Sequence, residues 1–531
     1  MTTVDTIATT TQTSLDGREG WRRLSPRMLL IHPVQEVIRL LPAFLGLVVA
    51  SLQGGRHGYW GLLAGGVAVA LGILRYFTTS YRITVTHVQV RRGFFRRRVL
   101  TVPRDRVRTV DVSAHLLHRL LGLARVTIGT GQTDKRNDGV KLDGVGAAEA
   151  ENLHRELLHR SEIPGVPEAA PVVDANPETE LVRLDPAWVR YGPFTLSGLV
   201  TVGVLLAFGQ RFVNEGHVNL SKIGFVRRSV DQLLSISLPL AILEVLAAAV
   251  VFVAIASTVG YVLAFWGFRL TRHRSGTLHV RRGLITTRST TIEERRLRGV
   301  EVSEPLLLRT VRGARVLGIA TGLRVGRGAE RGGSLLLPPA PRTEAARVAA
   351  LVLGDPAAIT APLTPHGPRA RRRRYNRALL AAAMIIVACA LLGWSGRFPW
   401  WPAAASLSLL PIAALLATDR SASLGHTIAD GSLISRYGSV VRRRIALRTD
   451  AIIGWNIRET FFQRRAGLAT LVATTAGGNQ SYPVIDVPAE EALRLARAAV
   501  PGLLEQFLEA PAGVQLTRGP SAGRPNDRAR P

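Results

Sequence analysis

One stretch of sequence occurs three times in this chain, and the repetition limits the possible folds more than any other feature. The copies are HLLHRLLGLARVTIGTG from His115, LLLRTVRGARVLGIATG from Leu306 and, more loosely, TFFQRRAGLATLVATTAG from Thr460. An apolar segment with basic borders comes before each copy. A fixed unit repeated in this way predicts repeated domains, so each copy is interpreted against the other two.

The similarity extends beyond this stretch when Gly93, Gly283 and Gly438 are aligned. The segments that follow them are FFRRRVLTVPRDRVRTVDVS, LITTRSTTIEERRLRGVEVS and SVVRRRIALRTDAIIGWNIR, and their apolar positions coincide without gaps. A second glycine follows 29, 30 and 29 residues later, at Gly122, Gly313 and Gly467. We therefore expect three domains of one fold.

Each repeat is predicted to contain antiparallel strands and one C-terminal helix. YRITVTHVQV and VRTVDVS alternate with period two, which is typical of half-buried strands. The aligned glycines lie where a hairpin must turn, because glycine reaches positive φ without steric penalty. Each repeat closes with an amphipathic helical pattern, such as AEEALRLARAAV from Ala489. This order of elements predicts three PH-like β-barrel domains in a mixed α/β membrane protein.

The apolar residues are concentrated in blocks that predict membrane spans. The chain is 47% hydrophobic yet carries a net charge of +30, a combination typical of membrane segments with basic loops. The six predicted spans are Val37–Leu52, Gly61–Leu74, Phe194–Phe208, Leu234–Phe265, Ala378–Trp394 and Trp400–Ala417. Basic segments flank each pair of spans, so the positive-inside rule places both termini and the three repeats in the cytoplasm of a multi-pass inner-membrane protein. The loop 211–232 within the second pair is an exception, because it is basic although it is predicted to lie on the outer side.

These patterns divide the chain into segments. We predict an N-terminal tail (1–33), a first transmembrane pair (34–78) and PH-like domain 1 (79–160), then a linker (161–190), a second pair (191–267) and PH-like domain 2 (268–354), then a basic linker (355–377), a third pair (378–418), PH-like domain 3 (419–510) and a tail (511–531). The linkers and the last tail are rich in proline.

The repeats resemble the bacterial PH-like, membrane-flanked domain family. The family's motif matches Val102, Pro103, Arg106 and Val107, followed by Leu120 to Ala124, in the first repeat. The other two repeats lack the proline, and the second has Glu293 in its place. The resemblance implies a fold similar to eukaryotic PH domains, no agreed biochemical activity, and a smaller one-domain family member as a partner.

The sequence offers little for catalysis. It contains no phosphate-binding loop, no HExxH, no GxSxG and no carboxylate cluster at metal spacing. Cys389 is the single cysteine and lies in an apolar run, which excludes a disulfide within the chain and a zinc site built on cysteines. His115 and His118 do not recur in the other repeats, so we interpret them as surface or helix-face residues. We therefore predict no enzyme activity and no cofactor.

Basic residues near the aligned glycines are the candidate binding residues. We predict lipid-headgroup contacts for Arg91, Arg92, Arg96, Arg97, Arg98, Arg281, Arg282, Arg442, Arg443 and Arg444. An equally simple interpretation is that these turns are solvated and only set topology. Glu244, a carboxylate within an apolar span, is the candidate intramembrane polar group.

These observations favour a non-catalytic membrane scaffold. Its expected partners are membrane lipids, including anionic ones, or proteins. Nucleic acid is not expected, because no stacking aromatic residues alternate with these charges on a recognisable platform. The alternative is a transporter or channel component in which Glu244 acts within the membrane. An enzyme acting on lipids is a third, less supported class.

Overall fold

The structure is a computed structural model. It describes residues 21–23, 25–28, 80–84, 86–92, 98–104, 109–129, 140–158, 178–195, 203, 210, 228, 232, 235–274, 276–321, 334–396 and 399–504. The predicted first transmembrane pair, the span Phe194–Phe208 beyond residue 195, and the last tail lie outside the described residues, apart from isolated positions.

The first repeat has six described strands after a short outer strand, and two helices. They are β1 (Arg22–Arg23), β2 (Ser80–Ile83), β3 (His87–Arg92), β4 (Arg98–Pro103), β5 (Thr109–Ala114), α1 (Leu116–Leu120), β6 (Leu123–Gly129), β7 (Val140–Gly146) and α2 (Ala147–Leu158). Gly122 ends α1 with a φ of 65°, which glycine adopts without strain, and the chain then turns directly into β6.

The second repeat follows the same order. Its elements are β8 (Thr179–Arg183), a 3₁₀ segment (Pro186–Phe194), α3 (Leu238–Phe265), β9 (Arg269–His273), β10 (Thr277–Arg282), β11 (Thr287–Glu293), β12 (Leu297–Pro305), α4 (Leu306–Thr310), β13 (Gly313–Ala320), β14 (Leu335–Pro341) and α5 (Arg342–Leu353). A 3₁₀ turn at Glu294–Arg296 separates β11 from β12. Gly354 ends α5 in the left-handed conformation.

The third repeat is the most completely described. It contains α6 (Ala357–Thr360), α7 (Gly367–Trp394), α8 (Trp401–Ser406), α9 (Leu409–Ala422), β15 (Gly425–Ala429), β16 (Ser432–Tyr437), β17 (Val441–Arg448), β18 (Gly454–Arg458), α10 (Phe461–Arg465), β19 (Leu468–Thr474), β20 (Ser481–Pro488) and α11 (Ala489–Ala499). A capping box between Thr460 and Gln463 fixes the start of α10.

The sheets cross from one repeat to the next, and the predicted β-barrels are wrong for the described strands. One sheet has the order β7-β6-β5-β11-β10-β9-β8, and another the order β14-β13-β12-β17-β16-β15. The fourth strand of one repeat therefore pairs with the third strand of the following repeat, and none of these sheets closes. The alternating pattern predicted which strand faces are buried, but it does not specify the neighbouring strand.

A hydrophobic core lies between the two groups of strands of each repeat. In the first repeat Val88 and Val90 of β3 pack in one cluster with Val126 of β6 and Leu142 of β7. The C-terminal helix covers this cluster through Ala150. The predicted composition of antiparallel strands plus one C-terminal helix is confirmed. The cores of the second and third repeats also meet at their joint, because Ile434 and Ala446 pack in the cluster of the second repeat and Ile319 packs in that of the third.

Three described helices are long and apolar enough to cross a membrane. They span Leu238–Phe265, Gly367–Trp394 and Trp401–Ala422, the last being α8 and α9 together. These helices agree with three of the six predicted spans and fit a membrane-associated protein.

The C-terminal half of α3 packs on the second repeat. Ser257 donates a hydrogen bond to the carbonyl of Gly192 in the preceding 3₁₀ segment (2.6 Å). A Cβ at Gly192 would lie 2.9 Å from Cα of Thr258, so this approach requires glycine. The Tyr261 hydroxyl donates to the carbonyl of Pro339 in β14 (2.8 Å). The helix is therefore held in a fixed position against the domain that follows it.

Candidate functional site: the joints between repeats

The first joint is the pairing of β5 with β11, where the first repeat meets the second. Beside it, Arg119 of α1 donates a hydrogen bond from Nη1 to the carbonyl of Leu284 (2.7 Å). His115 Nδ1 lies 2.9 Å from Oγ1 of Thr286. Both contacts reach from the short helix of one repeat to the hairpin turn Gly283–Thr286 of the next, so helix and turn form one surface.

The same hairpin turn lies against the end of the apolar helix α3. The amide of Gly283 donates to the carbonyl of Trp266, and that of Leu284 donates to the carbonyl of Leu263, both at 2.9 Å. Gly283 has a φ of 104°, and a Cβ there would lie 2.1 Å from the oxygen of Thr286. The sequence prediction of a glycine turn is confirmed at this position, and the turn is fixed at the helix end.

The second joint, the pairing of β12 with β17, is organised around Asp419 near the end of α9. Asp419 accepts hydrogen bonds from Arg309 of α4 (3.0 Å), Ser439 (2.8 Å) and Arg442 of β17 (2.9 Å). The amide of Leu306 also donates to the carbonyl of Val440 (2.7 Å). One carboxylate therefore connects an apolar helix with both repeats of the joint.

Two buried carboxylates, Glu301 and Glu304, lie within the second joint. Arg443 contacts Glu301 (3.4 Å), and Arg342 contacts Glu304 (3.0 Å). Burial raises the pKa of Glu301, which the guanidinium of Arg443 partly opposes. Only the Arg443–Glu301 pair crosses the joint, because Arg342 and Glu304 both belong to the second repeat. Removing Arg443 would leave the buried carboxylate of Glu301 without this partner, so the pair favours the meeting of these two strands.

One protein family matches the chain three times, once for each repeat. The bacterial PH domain family matches residues 36–161, 204–364 and 375–499, which together cover more than half of the chain. The chain belongs to this family. No curated protein and no solved structure matches it. Membership of this family identifies the three repeats as bacterial PH domains, but it does not identify their function.

The predicted headgroup-binding arginines have diverse environments. Arg281 is exposed, whereas Arg282 is buried with its guanidinium 5.5 Å from the centre of the Phe265 ring. Arg91 lies 6.0 Å from the ring of Trp21. The side chains of Arg92 and Arg98, and all of Arg96 and Arg97, lie outside the described part of the structure.

In the third PH repeat, the predicted arginines contact protein groups. Arg442 and Arg443 form the ion pairs with Asp419 and Glu301 already described. Arg444 donates to the carbonyl of Ala361 (2.8 Å), and burial lowers the pKa of Arg444 to about 10. These side chains hold the second joint together, a role that the sequence did not indicate.

The corner helices α1, α4 and α10 each present an exposed apolar residue at one aligned position. Leu116, Leu306 and Phe461 have exposed fractions of 50%, 37% and 64%. Beside the first joint, Leu284 and Ile285 of the hairpin turn are also exposed. Recurrent exposure of apolar side chains indicates a contact surface. The repeated pattern predicts a structural role only and does not reveal this exposure, although the aligned leucines and phenylalanine are its signal.

A second cluster in the third repeat holds the start of α7. Asp486 is completely buried and pairs with Arg373 and Arg374, each at 2.5 Å. Gln463 donates a further hydrogen bond to it (2.8 Å). Part of the predicted basic linker is therefore bound inside the PH repeat, where two of its arginines form buried ion pairs.

Two histidines lie beside this cluster. His366 Nδ1 lies 2.8 Å from the carbonyl of Ile485, so it carries the proton and donates. His366 Nε2 then accepts from Nδ1 of His426 (3.0 Å). Burial, together with His426, lowers the pKa of His366 to about 4. The pair is therefore neutral at physiological pH.

The remaining candidate residues form no reactive cluster in the described part of the chain. His118 lies on α1, as one of the two predicted alternatives has it, but it is completely buried, with Nε2 3.4 Å from Asp143, so it is not a surface residue. No group of three or more potential ligands that could hold a metal ion occurs among the described residues. Glu244 is exposed on the surface of α3.

Proposed function

We propose that this protein is a non-catalytic scaffold of the cytoplasmic membrane, with both termini in the cytoplasm, whose joints bind anionic lipid headgroups. The observation that carries the proposal is the hairpin turn at the end of α3. It is bonded to that helix and presents exposed Leu284 and Ile285 next to exposed Arg281.

This arrangement suits a membrane boundary. Exposed apolar side chains can enter the interfacial region of a bilayer, while a nearby cation attracts an anionic headgroup. Trp266, at the same helix end, is exposed, and tryptophan favours this depth. A single arginine near an anionic leaflet contributes about 1 kcal/mol.

The experiment compares two charge removals in the full-length protein. Arg281→Gln removes the cation at the hairpin turn beside α3, and Arg274→Gln removes an exposed cation at the opposite end of the same β9–β10 pair. We expect Arg281→Gln to weaken binding of short-chain phosphatidylglycerol in detergent about fivefold. Binding of short-chain phosphatidylcholine should not change.

The matched control decides the interpretation. Equal effects of Arg274→Gln and Arg281→Gln would show that only net charge matters and would contradict a headgroup site at the turn. The transporter alternative depends on Glu244, so a cellular phenotype lost with Glu244→Gln and retained with Arg281→Gln would favour transport over the scaffold.

A further inference from the structure

The two joints follow the same register in the repeat alignment. In the first joint Thr287 lies opposite Ala114, and Ser289 lies opposite Val112. The aligned residues of the next two repeats pair in the same way in the second joint, where Arg442 lies opposite Glu304 and Arg444 lies opposite Val302. One rule therefore describes both joints: the third strand of a repeat adds to the fourth strand of the repeat before it.

Within the described residues, one third strand and one fourth strand have no strand of another repeat beside them. β4, the third strand of the first repeat, is the last strand in the order β1-β2-β3-β4. β18, the fourth strand of the third repeat, begins the order β18-β19-β20. Among the described strands, the edge of β4 can therefore pair with the fourth strand of another repeat, and the edge of β18 can pair with the third strand of another repeat.

Residues at these two edges are exposed where their counterparts in the joints are buried. Leu100 of β4 is 39% exposed, whereas the aligned Thr290 and Ile445 are 7% and 1% exposed. Ile457 of β18 is 40% exposed, whereas the aligned Val302 of the second joint is 7% exposed. Val99, next to Leu100, is 54% exposed. The apolar residues at both edges are those that a further joint would cover.

We infer that β18 of one molecule pairs with β4 of a second copy of this chain, which forms a third joint between molecules. The common register places Val99 opposite Ile457 and Leu100 opposite Asn456. Such a contact is heterologous, because two different surfaces meet and each molecule keeps one edge free for the next. The inference is independent of headgroup binding and goes beyond the proposed function.

A second copy fits these edges for three reasons. Each molecule carries both complementary strands, and the pairing continues a mode that the chain already uses twice within itself. Proteins usually protect sheet edges with charges or covering segments, whereas exposed apolar residues occupy both of these edges. Strand addition of this kind uses main-chain hydrogen bonds for affinity and side chains for register.

Disulfide trapping tests the register directly. All variants carry Cys389→Ser, which removes the native cysteine. Full-length Val99→Cys and full-length Ile457→Cys are purified separately and oxidised alone or mixed. Opposed residues of antiparallel strands have Cα atoms about 4.5–5.5 Å apart, which is within the range of a disulfide. The internal control is Val112→Cys with Ser289→Cys, the aligned pair of the first joint.

We expect a covalent dimer in the mixture and none in either variant alone. A dimer of equal yield in Val99→Cys alone would show a symmetric contact and overturn the inference. An absence of dimer in the mixture, while the internal control forms its disulfide, would also overturn it. Such an absence would leave the edges to a different partner, such as a one-domain PH protein.

A charge substitution gives an independent measurement. The register places Arg98 opposite Arg458, and like charges directly opposite each other destabilise a strand pair. Arg458→Glu should therefore raise the yield of the mixed dimer, whereas Arg458→Lys should leave it unchanged. A lower yield with Arg458→Glu would contradict the proposed register.

Discussion

At the scale of single residues, the buried pair His366 and His426 makes the third PH repeat sensitive to acid. His366 has a pKa of about 4 in the folded protein, below its ordinary value of 6.5, because it is buried beside His426. Burial lowers the pKa of His426 as well. The unfolded chain therefore binds more protons than the folded chain between these values, and stability falls as the pH falls through this window.

We predict that the third repeat loses about 3 kcal/mol of stability at His366 between pH 6.5 and pH 4. His366→Asn keeps a donor for the carbonyl of Ile485 and removes the titration, so the dependence of the melting temperature on pH should become shallower. Thermal unfolding of the full-length protein in detergent measures this slope.

The matched control is His273→Asn, a change in a partly exposed histidine on β9 of the second repeat. It should keep the pH slope of the unsubstituted protein. An equal slope for His366→Asn and the unsubstituted protein would contradict a neutral, buried His366.

Backbone conformation was partly predictable from individual residues. The glycine turns at Gly283 and Gly438 have φ values of 104° and 102°, as the hairpin pattern indicated. The left-handed position after α4, however, is occupied by Arg312 with a φ of 56°, so Arg312, and not the neighbouring Gly313, corresponds to Gly122 and Gly467. Gly313 is instead required for packing, because a Cβ there would lie 2.6 Å from Leu308. A glycine in a sequence does not show which of these two roles it has.

At the scale of elements, the hairpin turn between β10 and β11 is the part that the proposed function places at the membrane. Main-chain hydrogen bonds hold it on the end of α3, so its depth in the bilayer follows the depth of the helix. The corner helix α1 is attached to this turn through Arg119 and His115. Turn and corner helix should therefore contact lipid together.

We predict that a fluorophore on Ile285→Cys, in a Cys389→Ser background, is shielded from an aqueous quencher when the protein is in a nanodisc. A fluorophore on Leu351→Cys serves as the control, because Leu351 lies exposed on α5. Quenching by lipids that carry spin labels should follow the opposite order. Equal access of the aqueous quencher to both positions would place the turn in solvent and contradict the membrane contact.

For the apolar helices, the sequence predicts the helices themselves but not the contacts that hold them on the PH repeats. The length of the apolar runs in the sequence is enough to predict α3, α7 and the pair α8 and α9. Their attachments include polar contacts between residues far apart in the sequence, such as Asp419 with Arg309 and Asp486 with Arg373. Local periodicity contains no information on such pairs, so the sequence pattern does not predict these contacts.

At the scale of the whole molecule, the shared sheets turn three similar domains into one continuous array. The sequence predicted three units, their strands and their closing helices, because these features follow from periodicity and alignment. It could not predict the joints. Every repeat offers a similar third strand and a similar fourth strand, and strand patterning is the same whether a strand pairs within its repeat or with the next one.

The shared sheets also explain why some arginines that were predicted to contact lipid form ion pairs within the protein. Arg442 and Arg443 lie on the third strand of the third repeat, and their carboxylate partners include Glu301 of the second repeat. Basic residues whose sequence pattern suggests lipid binding therefore also select the neighbouring strand. Arg281 lies outside these ion pairs and is exposed, as the proposed headgroup contact requires.

The pairing of β5 with β11 is the central claim, and disulfide formation within the full-length protein tests it most directly. The variant Val112→Cys with Ser289→Cys, in the Cys389→Ser background, joins the first repeat to the second. The comparison variant, Ser289→Cys with Val302→Cys, joins the third and fourth strands of the second repeat, as a closed barrel would. Rapid disulfide formation in the first variant and none in the second is the predicted result; the reverse order would contradict the shared sheets.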